Sequence, residues 1–226
     1  MPSSQLTPSG DTLDLTPNGG VMSDLRLGHF PDALDDVSDV DLIFTDPPYG
    51  IDFLPLWADL ARVAERVLRP GGLLVAYSGH SYLPAVLDML RERLSYVWMA
   101  ALPMPDSSQF VWRNGLSKPP FTVLTKWKPI LVFGKPGPMR SIPTDLFLGS
   151  KKTGVHHPWE QHLAPAVRIV EAFSRPGDLV LDPFLGSATF AVAANTASGG
   201  TRRFIGVEIE PETLANAQAR LTALSA

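Results

Sequence analysis

Apolar runs of strand length alternate with segments of helical period along most of this chain, and that alternation confines it to few architectures. Strands are predicted at 25–28, 40–45, 73–77, 96–102, 130–133, 179–181 and 203–208. Helices are predicted at 56–68, 82–94, 163–173, 189–197 and 211–224. The first has Leu56, Leu60, Val63 and Val67 at helical spacing and a stop at Arg69-Pro70-Gly71-Gly72. Residues 32–37 read as an amphipathic turn. A chain of this pattern folds as an α/β sheet with helices on both faces, and such sheets place their chemistry at the carboxyl ends of the strands. With 226 residues, 45% of them hydrophobic, one sizeable core is expected. Residues 1–20, rich in Pro, Ser, Thr and Gly, read as a flexible tail, and 21–226 as a single domain.

Two strand ends carry unusual chemistry. The apolar run 40–45 hands the chain to Asp46-Pro47-Pro48-Tyr49, an acid, a rigid turn and an aromatic face. This suits a planar amine. The exocyclic amine of a nucleobase is a poor nucleophile because its lone pair is delocalised into the ring. Two acceptors on its hydrogens, Asp46 and the Pro47 carbonyl, would localise that pair. The prolines fix the backbone without adding donors, and Tyr49 offers a ring for an extruded base. The same tetrapeptide also ends a strand in an ordinary turn.

The second strand end is Asp182-Pro183-Phe184-Leu185-Gly186-Ser187-Ala188-Thr189, a strand, a tight turn and a helix start. Gly186 allows close approach of a ligand to the backbone, and amides at a helix N-terminus can face a carboxylate. The next strand ends in Glu208, 22 residues past Gly186. An acid roughly 20 residues beyond the glycine turn accepts ribose hydroxyls in dinucleotide-binding folds.

With both corners in view, the chain resembles the DNA amino-methyltransferases, which move a methyl from S-adenosyl-L-methionine to a base amine. The resemblance rests on Asp46-Pro47-Pro48-Tyr49, on the Asp-Pro-Phe-x-Gly-Ser-x-Thr turn and on the Gly-x-Glu strand, and spans 24–221. The catalytic motif precedes the cofactor motif, as in the beta class, a permuted Rossmann-like sheet with a short recognition insertion; Trp127-Lys128-Pro129-Ile130 resembles solitary or phage-type members. The resemblance implies catalytic roles for Asp46, Pro47, Pro48 and Tyr49. It implies cofactor contacts from Asp182, Pro183, Phe184, Gly186, Ser187, Thr189 and Glu208, and from His29 and His157, which stand where the family places flanking motifs. Three departures concern cofactor affinity: Ala188 replaces a usual glycine, Gly28-His29 replaces Gly-Asp, and the lysine usual after His157-Pro158 is missing.

Charge supports a polyanionic partner. The chain carries a net −4, yet 101–157 alone carries +6, leaving −10 for the rest. Segments 103–126 and 135–157 are the expected target-recognition pieces, shared with a second copy if the protein is a homodimer. Arg113, Lys118, Lys126, Lys151 and Lys152 are the candidate phosphate contacts and Phe53 a candidate wall of the base pocket. Trp159 and Phe184 are candidates to flank the cofactor adenine.

The chain has no cysteine, which excludes disulfides and the thiolate nucleophile used to methylate a pyrimidine ring carbon. No metal is expected: His156, His157 and His162 have only Glu160 between them. No apolar run approaches the roughly 18 residues of a membrane span, and a cytoplasmic location without membrane contact is expected. Aspartate at 46 favours adenine as acceptor, with the cytosine amine as the alternative. Protein glutamine methyltransferases carry Asn-Pro-Pro-Tyr after their cofactor turn, and the aspartate and motif order here oppose that reading. A catalytically weakened DNA-binding module of the same fold is the remaining alternative.

Overall fold

The computed structural model describes residues 23–104, 125–139, 141–148, 163–198 and 202–225, and the backbone of strands at 13–15, 110–112 and 122–124. In chain order the elements are β1 (Leu13–Leu15), β2 (Ser23–Leu27), α1 (Phe30–Ala33), β3 (Val40–Thr45), α2 (Leu54–Val67), β4 (Leu68–Tyr77), α3 (Leu83–Arg91) and β5 (Ser95–Pro103). They continue with β6 (Phe110–Trp112), β7 (Thr122–Leu124), β8 (Trp127–Gly134), α4 (Leu163–Phe173), β9 (Leu179–Asp182), α5 (Thr189–Thr196), β10 (Arg203–Glu208) and α6 (Pro211–Ser225).

Among the described residues, eight strands form one sheet in the order β1-β2-β10-β9-β3-β4-β8-β5. β2, β10, β9, β3 and β4 run parallel, while β1, β8 and β5 join through antiparallel pairs. Alternation along the strands feeds two cores. Leu42, Phe44, Leu73, Val75, Ile130 and Val132 face α4, α5 and α6. Ile43, Leu74, Ala76, Leu131 and Phe133 face α1, α2 and α3. A sheet covered on both faces needs strands apolar on both sides, which is why β3 is almost fully buried. In α2, Trp57, Leu60, Ala61, Val63, Ala64 and Val67 form the stripe that closes one face, and Pro55 stands in its first turn, where a missing N–H costs no helical bond.

The order also fixes where a ligand belongs. From β3 the chain crosses through α2 to β4 on one side, and from β9 it crosses through α5 to β10 on the other. The two crossover helices lie on opposite faces. Neighbouring parallel strands that depart in opposite directions open a crevice at their carboxyl ends, so the β3–β9 junction is the switch point of this sheet.

Some boundaries differ from the sequence expectation. Arg69-Pro70-Gly71-Gly72, expected only to stop a helix, lies inside β4, because pairing with β3 jumps from Val40↔Leu68 to Leu42↔Leu73 and accommodates the extra residues as an irregularity. Gly71 takes φ +75, and a Cβ there would meet the Pro138 carbonyl at 2.1 Å, so the two loops interlock only with glycine. Leu13–Leu15, within the stretch expected as a loose tail, pairs antiparallel with β2 and hydrogen-bonds its free edge. The segment expected as an aperiodic insertion contains the β6–β7 hairpin. The first helix, α1, begins two residues before the expected turn at 32–37 and overlaps its start, with Pro31 in its first turn.

Candidate active site

The two corners meet. Thr45, last residue of β3 and fully buried, donates its hydroxyl to Asp182 Oδ1 at 2.7 Å, so the acid-proline turn and the glycine turn start from joined strand ends. Asp182 is 1% exposed, and its Oδ1 also accepts the Phe184 amide at 3.0 Å, fixing the turn. Burial pushes its carboxyl up to about 7, with the Asp46 and Glu208 carboxylates adding to the effect.

Asp46 itself is 37% exposed at the mouth of the crevice. The Tyr49 hydroxyl donates to its Oδ1, and Lys128 Nζ lies 3.2 Å from its Oδ2. Tyr49 is 43% exposed as a residue, but desolvation around its hydroxyl, followed by the nearby Asp46 charge, raises the phenol above its ordinary range, so it remains a donor. Lys128 comes from the start of β8 and sits 5.1 Å from the Tyr49 ring centroid and 5.0 Å from that of Tyr77, within cation–π range of both. The Tyr77 hydroxyl is buried without a hydrogen-bond partner. Gly50, at φ +122, turns the chain out of the prolines into a 3-10 turn at Ile51–Phe53.

A cavity of about 380 Å³ opens beside this acid, within the usual size of small-molecule sites. Tyr49, Trp57, His80, Tyr82, Trp127 and Lys128 are among its lining residues. The His80 ring meets Trp127 edge-on at 4.8 Å, and its Nε2 is buried without a partner. Burial lowers the imidazole pKa and keeps the ring neutral near pH 7.

On the other side of the junction, Glu208 ends β10. Its Oε2 accepts the Gly186 amide at 2.9 Å, and its Oε1 accepts the amides of Ile209 at 2.8 Å and Glu210 at 3.0 Å. Gly186 has φ +48, and a Cβ there would meet nothing nearer than 3.9 Å, so the space in front of the turn is open. Ala188 caps α5 in the left-handed conformation, φ +60 and ψ +28, while fully buried. Ser187 and Thr189 bond each other at 3.1 Å, and Arg220 from α6 holds the Ser187 carbonyl at 2.7 Å. Gly28, at the end of β2, donates its amide to the Glu208 carbonyl at 2.9 Å, which brings His29 to the same edge of the sheet.

The DNA methylase family profile matches residues 138–219, the part of the chain that builds the glycine turn and Glu208. The relative named "Putative methylase YubD", of Escherichia coli (strain K12), is 31% identical over 200 residues, 82% of this chain and 83% of YubD. The chain belongs to the DNA methylase family. This methylase is also 29% identical over 231 residues to the DNA adenine methyltransferase YhdJ of the same organism, covering 82% of the chain and 77% of YhdJ. In structure it resembles the cytosine-N4-specific PvuII DNA methyltransferase with a TM-score of 0.71 at 17% identity, covering 89% of this chain and 87% of that one. That likeness concerns the fold.

Of the residues singled out from sequence, Asp46, Tyr49, Asp182, Phe184, Gly186, Ser187, Thr189 and Glu208 lie along the one crevice edge, with Pro47, Pro48 and Pro183 forming the turns between them. Phe184 packs against Phe30 with ring centroids 4.9 Å apart. His29 is half exposed, its Nδ1 3.5 Å from Asp32. Phe53 is 42% exposed and stands beside Gly50, which lines the cavity, but is not itself among the lining residues. Lys126 is exposed on the approach to β8. Arg113, Lys118, Lys151, Lys152, His156, His157, Trp159, Glu160 and His162 lie outside the described residues. Among the described residues no group of three or more His, Cys, Asp or Glu is arranged to hold a metal, and no helix is long and apolar enough to cross a membrane. Sequence reasoning missed Thr45, His80 and the placement of Lys128. Their signals were adjacency: Thr45 precedes the motif, His80 follows the end of β4, and Lys128 stands in the Trp-Lys-Pro-Ile strand.

Proposed function

We propose that this DNA amino-methyltransferase acts on the exocyclic amine of adenine, with S-adenosyl-L-methionine as methyl donor. The observation that carries the proposal is the Thr45–Asp182 hydrogen bond, which joins the amine-binding corner to the cofactor corner at the sheet's switch point. The residues fit the cofactor. Three backbone amides orient the Glu208 carboxylate and leave Oε2 a lone pair for a ribose hydroxyl, and the Gly186 turn leaves open space for close backbone approach.

When bound, the donor supplies an already activated methyl on its sulfonium. The protein's part is then positioning. DNA presents one base flipped out of the stack, at a cost of a few kcal/mol. The base enters the cavity beside Asp46, whose carboxylate and the Pro47 carbonyl accept the two amine hydrogens. Tyr49 leaves Asp46 and stacks on the ring. Lining aromatics exclude water from the reacting amine. Aspartate at position 46 and the likeness to YhdJ support adenine.

The direct test is base-resolution sequencing of DNA from methylation-free cells expressing the wild type or Asp46→Ala. The expected result is N6-methyladenine at one short site with the wild type and none with the variant. N4-methylcytosine instead would reassign the acceptor, and no mark together with no S-adenosyl-L-methionine binding by calorimetry would favour an inactive DNA-binding module.

A further inference from the structure

Lys128 stands against the catalytic acid, though the Trp127-Lys128-Pro129-Ile130 strand that carries it gave it no role at the site. Its ammonium is 3.2 Å from Asp46 Oδ2, only 20% of the side chain is exposed, and it lines the cavity that receives the base. The register explains the aim. Lys128 lies on the same face of β8 as Ile130 and Val132, the face that packs with Tyr77, and Ile130 pairs with Tyr77. The lysine stem therefore runs over apolar surface, and its head emerges between the Tyr49 and Tyr77 rings at Asp46.

An ammonium has three donors, of which Asp46 takes one. We infer that Lys128 donates a second hydrogen bond to the ring nitrogen adjacent to the target amine, making Asp46 and Lys128 a paired reader of the base edge. This rests on the functional reading above. In adenine the amine is flanked on the Watson–Crick edge by N1, an acceptor, and in cytosine by N3, also an acceptor. An acceptor and a donor about one hydrogen-bond length apart match that order. Guanine and thymine present it reversed, a carbonyl beside an N–H, so a flipped guanine or thymine would set oxygen against Asp46 and an N–H against the ammonium.

The same contact addresses a chemical problem of the reaction. The ring nitrogen keeps its lone pair in the plane and is a better nucleophile than the conjugated amine. A lysine N–H on that lone pair blocks its alkylation and leaves the amine, held by Asp46, as the atom open to the methyl. The neighbouring Tyr77 hydroxyl and His80 Nε2, both buried without partners, are further polar groups at this end of the crevice.

The test uses the full chain and duplexes carrying the site found by sequencing, with the target adenine replaced by 1-deazaadenine, which keeps the amine and lacks the N1 acceptor; 3-deazacytosine serves if the methylated base is cytosine. Lys128→Met should lower kcat/KM on the natural base about 10–100-fold, the range of a hydrogen bond to a charged group. On the deaza base the loss should be about 5-fold or more smaller, because the ring-nitrogen contact is already absent and only the contacts of Lys128 with Asp46 and the two tyrosine rings remain to lose. Comparing both proteins on each base cancels the intrinsic reactivity of the analogue. Equal losses on the two bases would mean that Lys128 acts only through Asp46 and would overturn the inference. A second measurement needs no variant: the wild type should discriminate against 1-deazaadenine but tolerate 7-deazaadenine, altered on the other side of the amine, and equal treatment of the two overturns it as well. Absence of methylation of the natural duplex by the wild type would instead strike the proposed function.

Discussion

Asp182→Asn should flatten the dependence of folding stability on pH. The carboxyl is 1% exposed, with its folded pKa raised from 3.8 to about 7, first by burial and then by the Asp46 and Glu208 charges. A raised folded pKa means that the native state holds the proton more tightly than the unfolded chain. The resulting stability is complete below the unfolded pKa and is lost as pH rises through 7. Integrating the two titrations between pH 5 and pH 8 gives a loss of roughly 2–3 kcal/mol from this group alone. Asparagine keeps an oxygen for the Thr45 hydroxyl and the Phe184 amide, the two donors on Oδ1, and cannot ionise. Urea unfolding of the cofactor-free wild type and variant at both pH values cancels every other titrating group. The variant should gain roughly 2–3 kcal/mol relative to the wild type between pH 5 and pH 8, or roughly 5–10 °C in relative Tm for a chain of this size. Parallel stability curves for the two proteins would refute the assignment of a protonated carboxyl at the junction.

Asp46→Ala should abolish methyl transfer while calorimetry shows S-adenosyl-L-methionine binding within about 3-fold of wild type, since Asp46 bonds Tyr49 and Lys128 of the cavity lining whereas Glu208 bonds the cofactor turn. Comparable loss of both would count against that division. Ala188→Gly should stabilise the protein by up to ~1 kcal/mol in urea, because relief of a left-handed alanine outweighs the lost methyl burial and added chain entropy; destabilisation by more than that would show that the buried methyl dominates. Glu208→Ala should weaken cofactor binding and also lower Tm, because the amides of Gly186, Ile209 and Glu210 lose their acceptor together; an unchanged Tm would mean that water replaces the carboxylate without cost.

The chemistry of this fold was most legible where it is local. Asp46-Pro47-Pro48-Tyr49 and the turn from Asp182 to Thr189 are each contiguous, and their strands are short apolar runs whose ends can be located by their turn residues. Strand order was not legible. The insertion of β10 and β9 between β2 and β3 follows from where two amphipathic faces pack, which period alone does not encode. Lys128 escaped for a related reason. It is 82 residues from Asp46, and its aim depends on the β8 register with β4, so in sequence it was one lysine in a basic stretch. The Arg69–Gly72 stretch does follow the end of α2 as read, but the strand expected to start at 73 already begins at Leu68, because a bulge and an interlocking loop let a proline-glycine run sit inside a strand.

The place of β10 has a consequence for how this protein is made. β2 leaves the ribosome well before its parallel partner β10, and the free edge of β3 waits for β9, which also follows after β4, β5 and β8. A nascent chain that stops before these strands carries its entire amine-binding motif beside an unpaired sheet edge, a state prone to sticking to other chains. Competence therefore waits until β9 and β10 have emerged, slot into the gap between β2 and β3 and close the sheet from within.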